Sequence, residues 1–344
     1  MEANTPNFNN DRYVSYNGTM NETKANDYIY VRVCVSAAAF IILACFNIVI
    51  NCIILRAERL RNHARFVLVF HLLLSALIYF AVCWGFNLQI YLKAQLKAST
   101  CATLITVLTT SASNILLTLT VMAVDRYWAI CFPLRYSNLC TRKWPWLLGL
   151  LTWALASIIP LSLFPWTERG DSNRLCGRED LKKGELQKIL LITVCFVIIL
   201  YSYVKIGLEG RRLGVLNRHN KIGCRTIAWH GLQLAVYILP NFINYLLYIL
   251  KKYEHIHEDA KDLFAVVNFA FFSIAQCIAP IVYGLRKEEI VEQLNQDGLC
   301  FSCPLKTVVE WTVRLTEPNH HSHSRERRLT SQTLLSLEPL RPPV

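Results

Sequence analysis

Apolar residues in this chain gather into seven long blocks, and nearly all its charge falls between them. The blocks cover roughly residues 29–55, 66–92, 101–126, 144–166, 187–208, 226–250 and 262–284. Each is about 20 residues or longer, the length a helix needs to cross ~30 Å of hydrocarbon. They are too long and too continuous for amphipathic surface helices. The pattern predicts an all-α integral membrane protein, a seven-helix transmembrane bundle over residues 29–284. His71 in the second block, and Asn268 and Gln276 in the seventh, are the polar positions that fit this pattern least well.

Charge sets the orientation. Lys and Arg accumulate in short loops on the cytoplasmic side. The first gap carries Arg56, Arg59, Arg61 and Arg65, and the third carries Arg126, Arg135, Arg142 and Lys143. The fifth carries Lys205, Arg211, Arg212, Arg218, Lys221 and Arg225. The second has only Lys93 and Lys97, and the fourth and sixth mix bases with acids. The bias puts gaps one, three and five in the cytoplasm and residues 1–28 outside, as an extracellular tail. Two glycosylation sequons, at Asn17 and Asn21, lie on that external side. Residues 1–27 are polar and lack the apolar core of a secretory leader.

Composition narrows the function classes. The chain is 53% hydrophobic and 17% charged, against about 25% charged in soluble domains. Its formal net charge of +12 lines the loops, which favours membrane topology over nucleic-acid binding. The 13 cysteines show no repeated C-x-x-C pairs, and most sit inside apolar blocks. No metal site or cofactor is expected; His320, His321 and His323 read as part of a solvated tail. Residues 297–344 are polar and predict a disordered cytoplasmic tail. The spans are nearly free of mid-helix charge and lack paired Gly/Pro interruptions, which counts against a transporter or channel. No nucleophile elbow, membrane metal motif or carboxylate pair suggests an enzyme.

The third block ends in Met122-Ala123-Val124-Asp125-Arg126-Tyr127-Trp128-Ala129-Ile130-Cys131-Phe132-Pro133-Leu134-Arg135-Tyr136. Arg126 keeps its charge in any environment and can pair locally with Asp125. The seventh block ends in Ala279-Pro280-Ile281-Val282-Tyr283-Gly284-Leu285-Arg286-Lys287. Together these stretches resemble the rhodopsin-like G-protein-coupled receptors, and the odorant-receptor branch of the fish type in particular. Asn47, Trp153, Tyr203 and Pro240 match further family positions, so the resemblance covers about residues 29–295.

That resemblance implies a receptor that transmits binding of a small extracellular ligand to a heterotrimeric G protein. Arrestin and receptor kinases are further implied partners, and the plasma membrane the implied location. Asp125, Arg126, Tyr127, Tyr203, Pro280 and Tyr283 would form the coupling and activation machinery. Cys101 and Cys176 would form a disulfide at the external end. Residues 285–296 would be a short amphipathic eighth helix on the membrane surface, with Cys300 and Cys303 as lipidation sites. Thr109, Ala112, Ser113, Asn241, Phe242, Tyr245, Phe269, Phe272 and Ser273 would line an uncharged ligand pocket.

The chain also departs from the family. Ala76 and Ala279 replace the core carboxylate and amide, so the sodium site of many relatives is expected to be missing. Ile238 stands where a Trp usually precedes Pro240. Leu108 replaces the carboxylate of amine receptors. His71 and His230 are expected to make interhelical hydrogen bonds. The other reading in the same class is an orphan receptor for a lipid or peptide.

Overall fold

The structure is a computed structural model. It describes residues 8–94, 97–132, 135–136, 144–168, 185–212, 231, 235, 238–240, 242–243, 245–247, 249–250, 253 and 258–280. We number the helices by the spans they correspond to: α1 Phe8–Arg56, α2 Ala64–Tyr91, α3 Ala98–Cys131, α4 Trp144–Glu168 and α5 Glu185–Arg212. The sixth block is represented by α6, Ile238–Leu247, and the seventh by α7, Glu258–Pro280. A single helical turn, Glu58–Arg61, bridges α1 and α2. Among the described residues no strand occurs.

Helix boundaries follow the apolar blocks closely, with two instructive differences. The apolar part of α1 begins near Asn26, yet the helix continues back to Phe8 and carries both sequon positions, Asn17 and Asn21. Helix α3 runs through the Asp125 triplet to Cys131 rather than stopping at residue 126. Nothing in Tyr127–Cys131 breaks a helix, and the next Pro is Pro133. Four of the helices, over Asn26–Arg56, Ala64–Tyr91, Ser99–Cys131 and Leu186–Arg212, are long and apolar enough to cross a membrane.

Helix α1 packs on α2 and α7, and α3 packs on α2, α4 and α5. The contrast between α3 and α5 shows what each helix faces. On α3, Ser111, Asn114 and Thr118 are fully buried. On α5, Leu186, Leu190, Val197 and Leu208 are exposed. A large exposed apolar face suits hydrocarbon, while small polar residues let neighbouring helices approach. Two of the buried hydroxyls of α3 turn back on their own backbone: Ser111 Oγ donates to Val107 O at 2.7 Å and Thr120 Oγ1 to Leu116 O at 2.9 Å. In a lipid-facing bundle this satisfies polar groups without a partner helix.

Among the described residues, buried side-chain amides join different helices at two places. Asn114 Nδ2 donates to Ser75 Oγ at 2.6 Å, tying α3 to α2. Asn268 Nδ2 donates to the Pro240 carbonyl at 2.8 Å, tying α7 to α6.

His71 behaves differently from expectation. Neither ring nitrogen has a hydrogen-bond partner. The imidazole instead lies against the backbone of Gly149 on α4, where a Cβ would overlap it, and meets Trp146 edge-on at 5.7 Å. Close approach at a glycine has taken the place of the interhelical hydrogen bond. His230 lies outside the described residues.

Candidate functional site

Asp125 sits near the C-terminal end of α3, and Tyr136 follows in the short helical pair 135–136. The Tyr136 hydroxyl donates to Asp125 Oδ1 at 2.9 Å. Among the described residues no carboxylate lies within ion-pair distance of Arg126. The expected Asp125–Arg126 pair is therefore not formed. Consecutive helical residues project about 100° apart and do not face each other, whereas a side chain returning from beyond the helix end reaches Asp125 directly. Arg65, at the start of α2, and Arg126 both place positive charge near Asp125.

Arg126 also lies near Tyr203 of α5. Its charge acts on the Tyr203 phenol, whose hydroxyl is buried without a hydrogen-bond partner. The Tyr203 ring rests against Gly231, where an added Cβ would lie 3.3 Å from Cε1. A glycine there lets the sixth span approach the ring. Tyr127 packs on Phe132 at 5.9 Å and on Tyr201 of α5 at 6.3 Å. Asp125, Arg126, Tyr127 and Tyr203 are thus brought to one end of the bundle. Pro280 is the last described residue of α7, and Tyr283 lies outside the described residues.

Residues 46–283 match the model of the seven-transmembrane receptor (rhodopsin) family, which is more than half of the chain. The chain belongs to that family. It is accordingly a multi-pass membrane protein with an all-α transmembrane bundle. The receptor is also similar to odorant receptor 131-2 of Danio rerio, 27% identical over 201 residues, or 53% of this chain and 60% of the relative. It is similar to olfactory receptor 14A16 of Homo sapiens, 26% identical over 209 residues, 55% of this chain and 65% of the relative. Olfactory receptor 10G8 of Homo sapiens is 25% identical over 193 residues, 51% of this chain and 59% of the relative. The receptor thus spans about three fifths of the length of these curated relatives.

At the other end of the bundle, Cys101 is disulfide-bonded. The remaining described cysteines, Cys34, Cys45, Cys52, Cys83, Cys131, Cys195 and Cys277, are not disulfide-bonded. Its partner therefore lies outside the described residues, as does Cys176. Cys101 packs with Phe86, Ile90 and Ile105, where α2 and α3 meet. Cys300 and Cys303 also lie outside the described residues.

The expected pocket residues divide. Thr109, Ser113 and Ser273 are buried, and Ala112, Tyr245, Phe269 and Phe272 are half-buried. Ser273 spends its hydroxyl on the Phe269 carbonyl of its own helix at 2.8 Å. Phe242 is 49% exposed and stands apart from the buried members, and Asn241 lies outside the described residues.

Four residues in and beside this region were not placed there by sequence reasoning. Phe80 of α2 is fully buried and meets both Phe272 at 6.1 Å and Phe269 at 6.5 Å. Tyr79 meets Phe272 edge-on at 5.7 Å. Arg32 of α1 is buried, with its guanidinium carbon 5.4 Å from the Phe269 ring centroid. A set expected to be uncharged thus has a cation beside it. The available signal was plain: Arg32 is the sole charged residue between Tyr28 and Leu55.

Gln276 is the fourth. Both its side-chain polar atoms are buried without a partner. It lies one turn beyond Phe272 on α7, as Ala76 lies one turn before Phe80 on the antiparallel α2, so register sets Gln276 level with Ala76. A neutral amide thus stands near the place where the family's carboxylate is replaced by Ala76.

Proposed function

We propose that this protein is an odorant receptor of the plasma membrane that transmits small-ligand binding to a heterotrimeric G protein. The observation that carries this reading is the cluster at the Asp125 end of α3. There Asp125 is held by Tyr136, and Arg126 places its charge near both Asp125 and the buried Tyr203 phenol. A cation with no ion pair among the described residues, beside a buried hydroxyl lodged on Gly231, is suited to exchange partners when helices move. The odorant and olfactory names of the relatives support the ligand class.

In this reading the Asp125 end faces the cytoplasm and the Cys101 end faces outward, with residues 1–28 extracellular and Asn17 and Asn21 glycosylated. Pro280 and Tyr283 complete the coupling machinery, and residues 285–296 lie along the inner membrane surface. Cys176 is the disulfide partner of Cys101. Among the cysteines outside the described residues, it falls in an external gap under the charge bias, whereas Cys140 and Cys224 fall in cytoplasmic ones. The tether would fix the external loop across the bundle.

The direct test is Arg126→Ala in the full-length receptor, read by ligand-evoked second messenger at matched surface expression. The expected result is loss of the response. Full activation by the variant would refute the coupling role.

A further inference from the structure

Arg32 asks for a physical account. It lies six residues into the apolar part of α1, about 9 Å along the helix axis. A long basic side chain at that depth ordinarily snorkels toward the polar interface. Arg32 does not, because it is 8% exposed and its guanidinium is directed over a ring of α7 rather than outward. The bundle has taken a permanent positive charge into an aromatic corner formed by Phe269, Phe80, Phe272 and Tyr79.

The corner has a definite chemistry. A guanidinium presents five N–H donors in a planar fork that matches a carboxylate with two parallel hydrogen bonds. Five donors leave capacity for a ligand beside any contact made within the chain. Its place over the Phe269 ring holds the guanidinium inside the corner and lowers the rotamer freedom lost on binding. The rings next to it offer apolar surface for the body of the same ligand. Phe269 and Phe272 were already expected to line the pocket, so the cation is continuous with that site. The ring it meets lies midway along α7.

Resting on the receptor reading above, we propose that Arg32 is the anion-recognising group of the ligand site. The ligand class is then a small amphipathic molecule with a carboxylate head on Arg32 and an apolar body against the half-buried Phe269 and Phe272.

The test uses the full-length receptor in cells, with second messenger as readout. The probes are straight-chain carboxylic acids from butanoic to dodecanoic, each with its matched alcohol and methyl ester. The wild type is expected to respond to at least one acid at about tenfold lower concentration than to its neutral partners, the scale of one charge-assisted contact. Arg32→Gln at matched surface expression should remove that acid preference and leave the neutral responses within about twofold. Equal potency of acids and neutral partners on the wild type overturns the proposal while the receptor reading stands. So does an equal shift of both by Arg32→Gln, the mark of a purely structural residue. If Arg32→Gln fails to reach the surface, Arg32→Lys, which keeps the charge but not the planar fork, should show a selective loss of acid potency, and an unselective shift there overturns the assignment. A wild type silent to every acid, alcohol and ester overturns the small-ligand reading and this inference with it.

Discussion

Asp125 and Tyr136 are eleven residues apart in sequence and share a 2.9 Å hydrogen bond. Arg32 and Phe269 belong to the first and last helices and meet only because α1 packs on α7. One end of the bundle is written largely in a single stretch of chain; the other is assembled from distant pieces. The Asp125 end keeps groups that can rearrange: a buried phenol, a cation with no ion pair among the described residues, and a glycine that lets a neighbouring span approach. The opposite end is closed by ring-to-ring packing around a fully buried phenylalanine. A signalling protein needs both, since a rigid binding corner transmits nothing unless the far end has more than one arrangement available.

The contrast can be broken experimentally. Phe80→Ala should have the largest effect, costing about 3–5 kcal/mol for a fully buried ring. A marked fall in melting temperature of the detergent-solubilised receptor is the expected result. A melting temperature like that of wild type would show that the aromatic corner does not hold the bundle. Gly231→Val comes next. It overpacks the Tyr203 ring, at about 1–3 kcal/mol, and should lower the ligand-evoked response while ligand affinity is kept. Affinity falling in parallel would mean that the two ends are not separable.

Tyr136→Phe is smaller again, removing one hydrogen bond worth about 1 kcal/mol. Ligand-free second messenger should rise by roughly fivefold at equal surface expression, and an unchanged basal level would remove Tyr136 from the switching end. Ser273→Ala should do least, within about 0.5 kcal/mol, because its hydroxyl serves only its own helix. A large change in ligand potency would place that hydroxyl in the pocket after all.

How much of this was readable in the residues follows from the same contrast. The helices were legible because hydrocarbon imposes a length and a composition that any window along the chain reveals. The Asp125 end was legible because its motif is contiguous, although the partner was not: Tyr136 was in view within the quoted stretch and its hydrogen bond was not anticipated. Local pairing of Asp125 with Arg126 was the wrong geometry for adjacent helical residues. Phe80, Tyr79 and Arg32 were not legible as a group, because no local pattern says which face of α1 or α2 meets α7. His71 was noticed for its polarity, and its polarity proved less informative than its shape. Phe242 was placed in the pocket by position along the helix, which does not fix rotation about the axis.

The imidazole of His71 lying on the bare backbone of Gly149 has a consequence for how such a receptor can vary. The two positions are halves of one volume: whatever one side gains, the other must lack. A change at either residue alone meets steric overlap or a void, so the viable neighbours of this sequence are reached by paired replacement. Divergence along this seam between α2 and α4 is then a matter of exchanging matched shapes, and a descendant of this chain that carries a larger residue at position 149 should carry a smaller one at position 71.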